Sequence, residues 1–249
     1  MNPKFVIGTS FFNAPNSGSL WFFNNLWRPA VQALHRPPAT LIPSGVFCIH
    51  VARNKSDRPF PDWIQHTYLT GDLGHVHQLI GKKEPFKDSA ISSYEASMLT
   101  LALIAYTNEC DLIYLEQDCL AFGKWIEQLY AELGSHTEML FGKVRCMPCA
   151  QSLFIVKHKF LLTFVCEYIQ AGNDIKLGEE KFISLMKNRP NQIGQFSFGF
   201  DRDRPLVYES PVFYAQKLTR DELLNLRRRN LVKFDDLPEN VEKFTNDTL

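Results

Sequence analysis

The chain has 249 residues, the size of one large domain, since single cores stop growing near roughly 250 to 300 residues. Hydrophobic residues make up 45% and charged residues 22%, ordinary globular values that exclude a disordered, collagen-like or disulfide-scaffold chain. The 27 Lys plus Arg balance the 27 Asp plus Glu, whereas proteins that neutralise nucleic-acid phosphates carry a basic excess, so no nucleic acid is expected as a partner.

Apolar stretches are interrupted well before the ~18 residues that a membrane helix needs. Residues 1–10 lack the basic region and unbroken apolar core of a signal peptide. No membrane span is expected. Of the six cysteines (Cys48, Cys110, Cys119, Cys146, Cys149, Cys166), several lie in apolar runs where a thiol packs as a small hydrophobe. That usage suits a reducing compartment, and the expected location is cytoplasmic.

In chain order, residues 4–10 (KFVIGTS) read as a buried strand entering a loop. Beyond the Asn-, Pro-, Ser- and Gly-rich segment 13–19, Leu20, Phe23, Trp27, Val31 and Leu34 follow helical spacing, with Ser17 or Ser19 as the cap. Residues 45–52 (GVFCIHVA) and 67–70 (TYLT) read as a second and a third strand. Ser92 with Glu95 forms a capping box that opens a helix running to Tyr106, apolar on nearly every face and so expected to be covered on both sides.

Residues 111–118 (DLIYLEQD) then give a short apolar strand ending in two carboxylates. The spacing of Phe122, Trp125, Ile126, Leu129 and Leu133 predicts a helix closed by Gly134. Strands follow at 139–144 and 152–156, around Cys146-Met147-Pro148-Cys149, then helices at 158–169 and 178–186, then strands at 196–200 and 212–215. Thr219 and Glu222 make a second capping box ahead of Leu223, Leu224 and Leu226. The expected organisation is one domain over 1–234 and a polar, loosely held tail over 235–249. Strands alternating with helices favour an α/β layered fold with a partly parallel sheet.

Chemistry concentrates at Glu116-Gln117-Asp118. Open α/β sheets bind ligands beyond the carboxyl ends of their strands. Two carboxylates one residue apart, leaving a rigid strand there, suit a hard divalent cation that takes further oxygens from water and a phosphate-bearing substrate. The plainer reading is a polar strand end running into a helix start. Glu179 and Glu180 open the helix that follows Gly178, where a carboxylate near a metal and a diphosphate serves as a general base. Acids in a first helical turn are also ordinary helix design.

The order of these parts resembles the nucleotide-sugar glycosyltransferases of the GT-A fold. The matching pieces are a βα N-terminal half, a buried helix, an apolar strand ending in a D-x-D-like motif (112–118, LIYLEQD), an acceptor-side strand (151–156, QSLFIV) and an x-E-D-like element at Gly178-Glu179-Glu180. The resemblance covers residues 4–215. It implies a three-layer α/β/α fold around a mixed, mostly parallel sheet, with Mn2+ or Mg2+ as cofactor. The residues it implies are Asp118 as metal ligand and Glu116 assisting the metal or orienting the donor. Glu180 would be the catalytic base with Glu179 beside it. The loop carrying Thr9, Ser10, Phe11 and Phe12 would receive the nucleotide. The departures are Glu in place of the first acid, Glu180 where Asp is commoner, and no obvious C-terminal histidine to complete the metal shell. Lys217, in Phe213-Tyr214-Ala215-Gln216-Lys217, stands about where that histidine is expected and would touch phosphate.

Other signals read more plainly. Cys146-x-x-Cys149 has no second CxxC or H-x-x-x-H to complete a zinc site. His75-Val76-His77 lacks a third ligand, and Arg227-Arg228-Arg229 fits a solvated helix end. Neither G-x-G-x-x-G nor G-x-x-x-x-G-K-S/T occurs. Lys82, Lys83 and Lys87 read either as loop charge or as a diphosphate contact, with Lys87 taken as the candidate. The expected function is metal-assisted transfer of a sugar from a nucleotide-sugar donor to a glycan or other hydroxyl acceptor. The alternatives are an inactive GT-A-like module that binds glycan or protein, and a nucleotidyltransferase, disfavoured for want of a Gly-rich, Arg-containing first loop.

Overall fold

In the first strand Phe5 and Ile7 face one way and Val6 the other, and all are fully buried. Such a strand needs cover on both faces. The computed structural model supplies it, and describes residues 5–9, 18–34, 93–144, 147–171, 178–199, 206, 208, 210–239 and 244. The strands expected at 45–52 and 67–70 lie outside these residues.

The central sheet has five strands in the order β1 (Phe5–Gly8), β2 (Asp111–Leu115), β5 (Met147–Val156), β4 (Met139–Val144) and β6 (Ile193–Gln195). β1 runs parallel to β2 and β4 to β6, while β5 is antiparallel to both β2 and β4. Every strand except β5 therefore points the same way. The sheet is mixed and mostly parallel, and helices cover both of its faces.

One face carries Val6, Leu112, Tyr114, Phe141, Phe154 and Val156, packed under α3 (Ser93–Thr107), α5 (Leu161–Ala171) and α6 (Gly178–Asn188). Here the Tyr114 and Phe154 rings stack at 4.9 Å, an arrangement worth ~0.5–1.5 kcal/mol beyond its buried area. The other face carries Ile7, Ile113, Leu115, Leu140 and Leu153, packed under α4 (Trp125–Leu133) and the N-terminal helical segment. That segment is α1 (Ser19–Phe22), a π-helical turn (Phe23–Trp27) and α2 (Arg28–Ala33). Phe23 and Trp27 of the turn are buried under this face, whereas Leu26 is buried with Phe22 in a separate cluster.

A small second sheet pairs β3 (Cys119–Phe122) with β7 (Phe213–Gln216), antiparallel. It packs with α7 (Arg220–Arg228) and the aromatic residues Phe22, Phe234 and Phe244. The capping box expected at Thr219 and Glu222 is formed in full.

Several expectations are corrected. Phe122 belongs to β3, and the helix begins only at Trp125, after Gly123 adopts φ +74°. α3 is not covered all round, since Leu103 and Tyr106 are exposed. Residues 158–169 start as a 3-10 turn (His158–Phe160) before the α-helix. The strand expected at 196–200 lies earlier, at Ile193–Gln195, and Phe196 and Phe198 follow it as a buried stacked pair. The tail is not free throughout: Phe244 is fully buried and its N–H donates to the Leu218 carbonyl.

Candidate active site

β2 ends at Leu115, but the ladder continues one step, because the Glu116 N–H donates to the Ser152 carbonyl of β5 at 2.8 Å. The Cys119 N–H then returns to the Glu116 carbonyl at 2.9 Å, closing a tight turn that launches β3. Both acids are thereby held by backbone bonds at the carboxyl end of a buried strand. Gln117 and Asp118 are buried, and Glu116 is half-buried.

Residue 216 decides the geometry. β3 and β7 pair with Cys119 opposite Gln216, so the Gln216 side chain lies beside the acidic turn. Its Nε2 donates to Asp118 Oδ1 at 3.0 Å and also to Glu116 Oε2. A single buried amide thus holds two carboxylates that would otherwise repel each other.

β7 has little freedom to move. Tyr214, two residues before Gln216, is buried in a slot lined by two glycines. A Cβ on Gly142 would collide with the Tyr214 hydroxyl, and one on Gly199 with its ring. Gly199 also has φ +110°, a conformation that strains any residue with a side chain. Phe196 and Phe198 meet the Tyr214 ring edge-on.

The carboxyl end of β1 adjoins the same edge, with Gly8 opposite Tyr114. A side chain on Gly8 would meet Leu101 of α3. Thr9 follows immediately and is fully buried. Ser10, Phe11, Phe12, Lys82, Lys83, Lys87, Cys146 and residues 75–77 lie outside the described residues.

α6 leads into β6, which runs parallel to β4, so the start of α6 lies toward the edge where β2 ends. Glu180 is exposed there, whereas Lys181 beside it is fully buried. The Lys181 ammonium pairs with Glu95 Oε1 at 2.6 Å, and the Tyr168 hydroxyl donates to the same oxygen at 2.9 Å. Glu95 thereby ties the first turn of α3 to the first turn of α6, while Ser92, its expected capping partner, lies outside the described residues. Of Glu179, only the backbone is described.

Lys217 is half-buried with φ +54°. Gln216, next to it, touches both acids. Among the described residues no group of three or more His, Cys, Asp or Glu side chains gathers as a metal cluster. The donors that do converge are two carboxylates and one amide. All can offer oxygen, and the Gln216 nitrogen occupies the point shared by both acids, so this set fits a hard divalent cation.

No protein-family model matches the sequence, and no curated protein matches it. Among solved structures, the fold is similar to galactosyltransferase LgtC in complex with donor and acceptor sugar analogues, at 12% identity over 94% of this chain and 98% of that one, with a TM-score of 0.52. An active-site mutant of LgtC gives 12% identity over the same shares and a TM-score of 0.50. The fold is GT-A. A glycosyltransferase involved in glycosylation of the major capsid of PBCV-1 is a weaker likeness, at 8% identity over 92% of this chain and 100% of that one, with a TM-score of 0.49. In a GT-A frame Glu116, Asp118 and Gln216 stand at the carboxyl edge of the central sheet, where open α/β folds bind their ligands. Among the described residues no helix is long and apolar enough to cross a membrane.

Proposed function

We propose that the chain is a metal-dependent glycosyltransferase that moves a sugar from a nucleotide diphosphate sugar to a hydroxyl acceptor. The observation that carries this reading is the convergence of Glu116 and Asp118 on one point, outside the carboxyl end of β2, in a GT-A fold. Asp118 and Glu116 would hold Mn2+ or Mg2+. When bound, the metal supplies positive charge against the leaving diphosphate.

The chain's own residues do the rest. The β2–β5 ladder and the turn after it orient the two carboxylates. Ser10, Phe11 and Lys87 are the further donor-side candidates, with Lys217 toward phosphate. Glu180, or Glu179 beside it, takes the acceptor hydroxyl proton as the acceptor oxygen bonds to the anomeric carbon and the bond from that carbon to the diphosphate breaks. Net charge is balanced and no basic excess competes for nucleic acid.

The test is release of nucleoside diphosphate from a panel of nucleotide sugars, with glycan acceptors and Mn2+ present. Release that requires Mn2+ and disappears in Asp118→Asn supports the reading. A folded chain that binds a nucleotide sugar yet releases nothing with any acceptor favours the inactive binding module instead.

A further inference from the structure

Resting on the reading that Glu116 and Asp118 hold a cation, we infer that Gln216 is its third protein ligand, through the amide oxygen, and that this makes the site selective for hard cations. The Gln216 backbone is fixed opposite Cys119, its second neighbour Tyr214 is locked between Gly142 and Gly199, and its other second neighbour Leu218 is fully buried. The strand cannot slide to bring another residue to the acids. The last side-chain torsion, however, joins an sp³ to an sp² carbon and has a broad, nearly two-fold profile.

A half turn of that torsion exchanges the amide nitrogen for the amide oxygen at one place. With the nitrogen inward, the NH2 group bridges Glu116 Oε2 and Asp118 Oδ1. Its partial positive charge offsets the repulsion between the carboxylates in the metal-free chain. With the oxygen inward, the same three side chains present three oxygens to one centre. The two states use the same buried space, so loading a cation requires one torsion to turn and no strand to move.

Selectivity follows from the donor atoms. Carboxylate and amide oxygens suit Mg2+ and Mn2+, whereas an imidazole also suits zinc and other borderline metals. An all-oxygen set therefore discriminates against Zn2+ where a set completed by histidine would admit it. A ligand set with two charges also holds a cation less tightly than one with three.

The experiment titrates Mn2+ into the full chain, with and without UDP, and follows free Mn2+ by its electron paramagnetic resonance signal; Zn2+ competition gives the metal preference. Gln216→Leu should weaken Mn2+ binding about tenfold or more, and Gln216→Glu should tighten it by a similar factor. Gln216→His should keep Mn2+ binding and shift the preference toward Zn2+ at least tenfold. If Gln216→Leu binds Mn2+ as tightly as the wild type, or more tightly, the amide is a placeholder that the cation displaces, and the inference is overturned. If that variant does not fold, Gln216→His decides, and an unchanged Zn2+ to Mn2+ ratio overturns the inference. Failure of the parent reading looks different: Asp118→Asn would then bind Mn2+ as well as the wild type does.

Discussion

Lys181 and Glu95 form a fully buried ion pair, shared with the Tyr168 hydroxyl and with the Tyr168 ring 5.3 Å from the ammonium. Removing one charge of such a pair strands the other in a low-dielectric interior. Lys181→Met should therefore destabilise the chain by about 3–5 kcal/mol, while Lys181→Met combined with Glu95→Leu should recover most of that loss. Urea unfolding of both variants tests this, and a single variant costing under ~1 kcal/mol would show the pair to be dispensable. At Asp118 the expected outcome is the reverse. Asp118→Asn keeps shape and can still meet Gln216, so stability should stay within ~1–2 kcal/mol of wild type while turnover is abolished, a larger loss than with Glu116→Gln. The charge of Glu116 and Asp118 was visible in the sequence at the end of an apolar run, and that of Glu180 in the first turn of a helix. Gln216 was not. It is uncharged, and its link to Asp118 spans 98 positions and depends on strand pairing. The Glu95–Lys181 pair, 86 positions apart, was hidden for the same reason.

At the scale of elements, β7 carries the site only while Tyr214 keeps its slot. Gly199→Ala would put a methyl group into the Tyr214 ring and impose a strained backbone at φ +110°. The expected cost is about 1–3 kcal/mol from each effect, together with weaker metal binding as Gln216 shifts. Gly134→Ala is the control: its φ is also positive, at +55°, but nothing lies within 4 Å of the added carbon. It should cost little beyond backbone strain and leave metal binding unchanged. Thermal unfolding and Mn2+ titration of the two variants separate these outcomes. β1 and β2 were legible as short apolar runs ending in polar residues, α6 from its helical spacing and α7 from its capping box. β3 was not, because Cys119-Leu120-Ala121-Phe122 satisfies either period over four residues. Its strand identity comes from β7, which lies far along the chain.

At the scale of the molecule, the fold brings three chain regions to one edge: the end of β1, the end of β2 with its acidic turn, and the start of α6. The layered α/β architecture was readable from alternating strands and helices, whereas the reversed direction of β5 and the separate β3–β7 sheet depend on long-range pairing. Glu180→Gln tests how this edge is used. If Glu180 is the base of an inverting transfer, the variant should lose about 10²- to 10⁴-fold in kcat with donor binding nearly intact. A sensitive Glu179→Gln beside an insensitive Glu180→Gln would move the role by one residue.

The most direct measurement is the thermal shift produced by a nucleoside diphosphate such as UDP or GDP, with and without Mn2+, in the wild type and in Asp118→Asn. A ligand bound only to the native state adds about 2.7 kcal/mol at 100 times its dissociation constant. Tm should rise with nucleotide, clearly more when Mn2+ is present, and the extra rise should be lost in Asp118→Asn. Equal shifts with and without Mn2+, or an undiminished Mn2+ effect in Asp118→Asn, would contradict a cation site at Asp118.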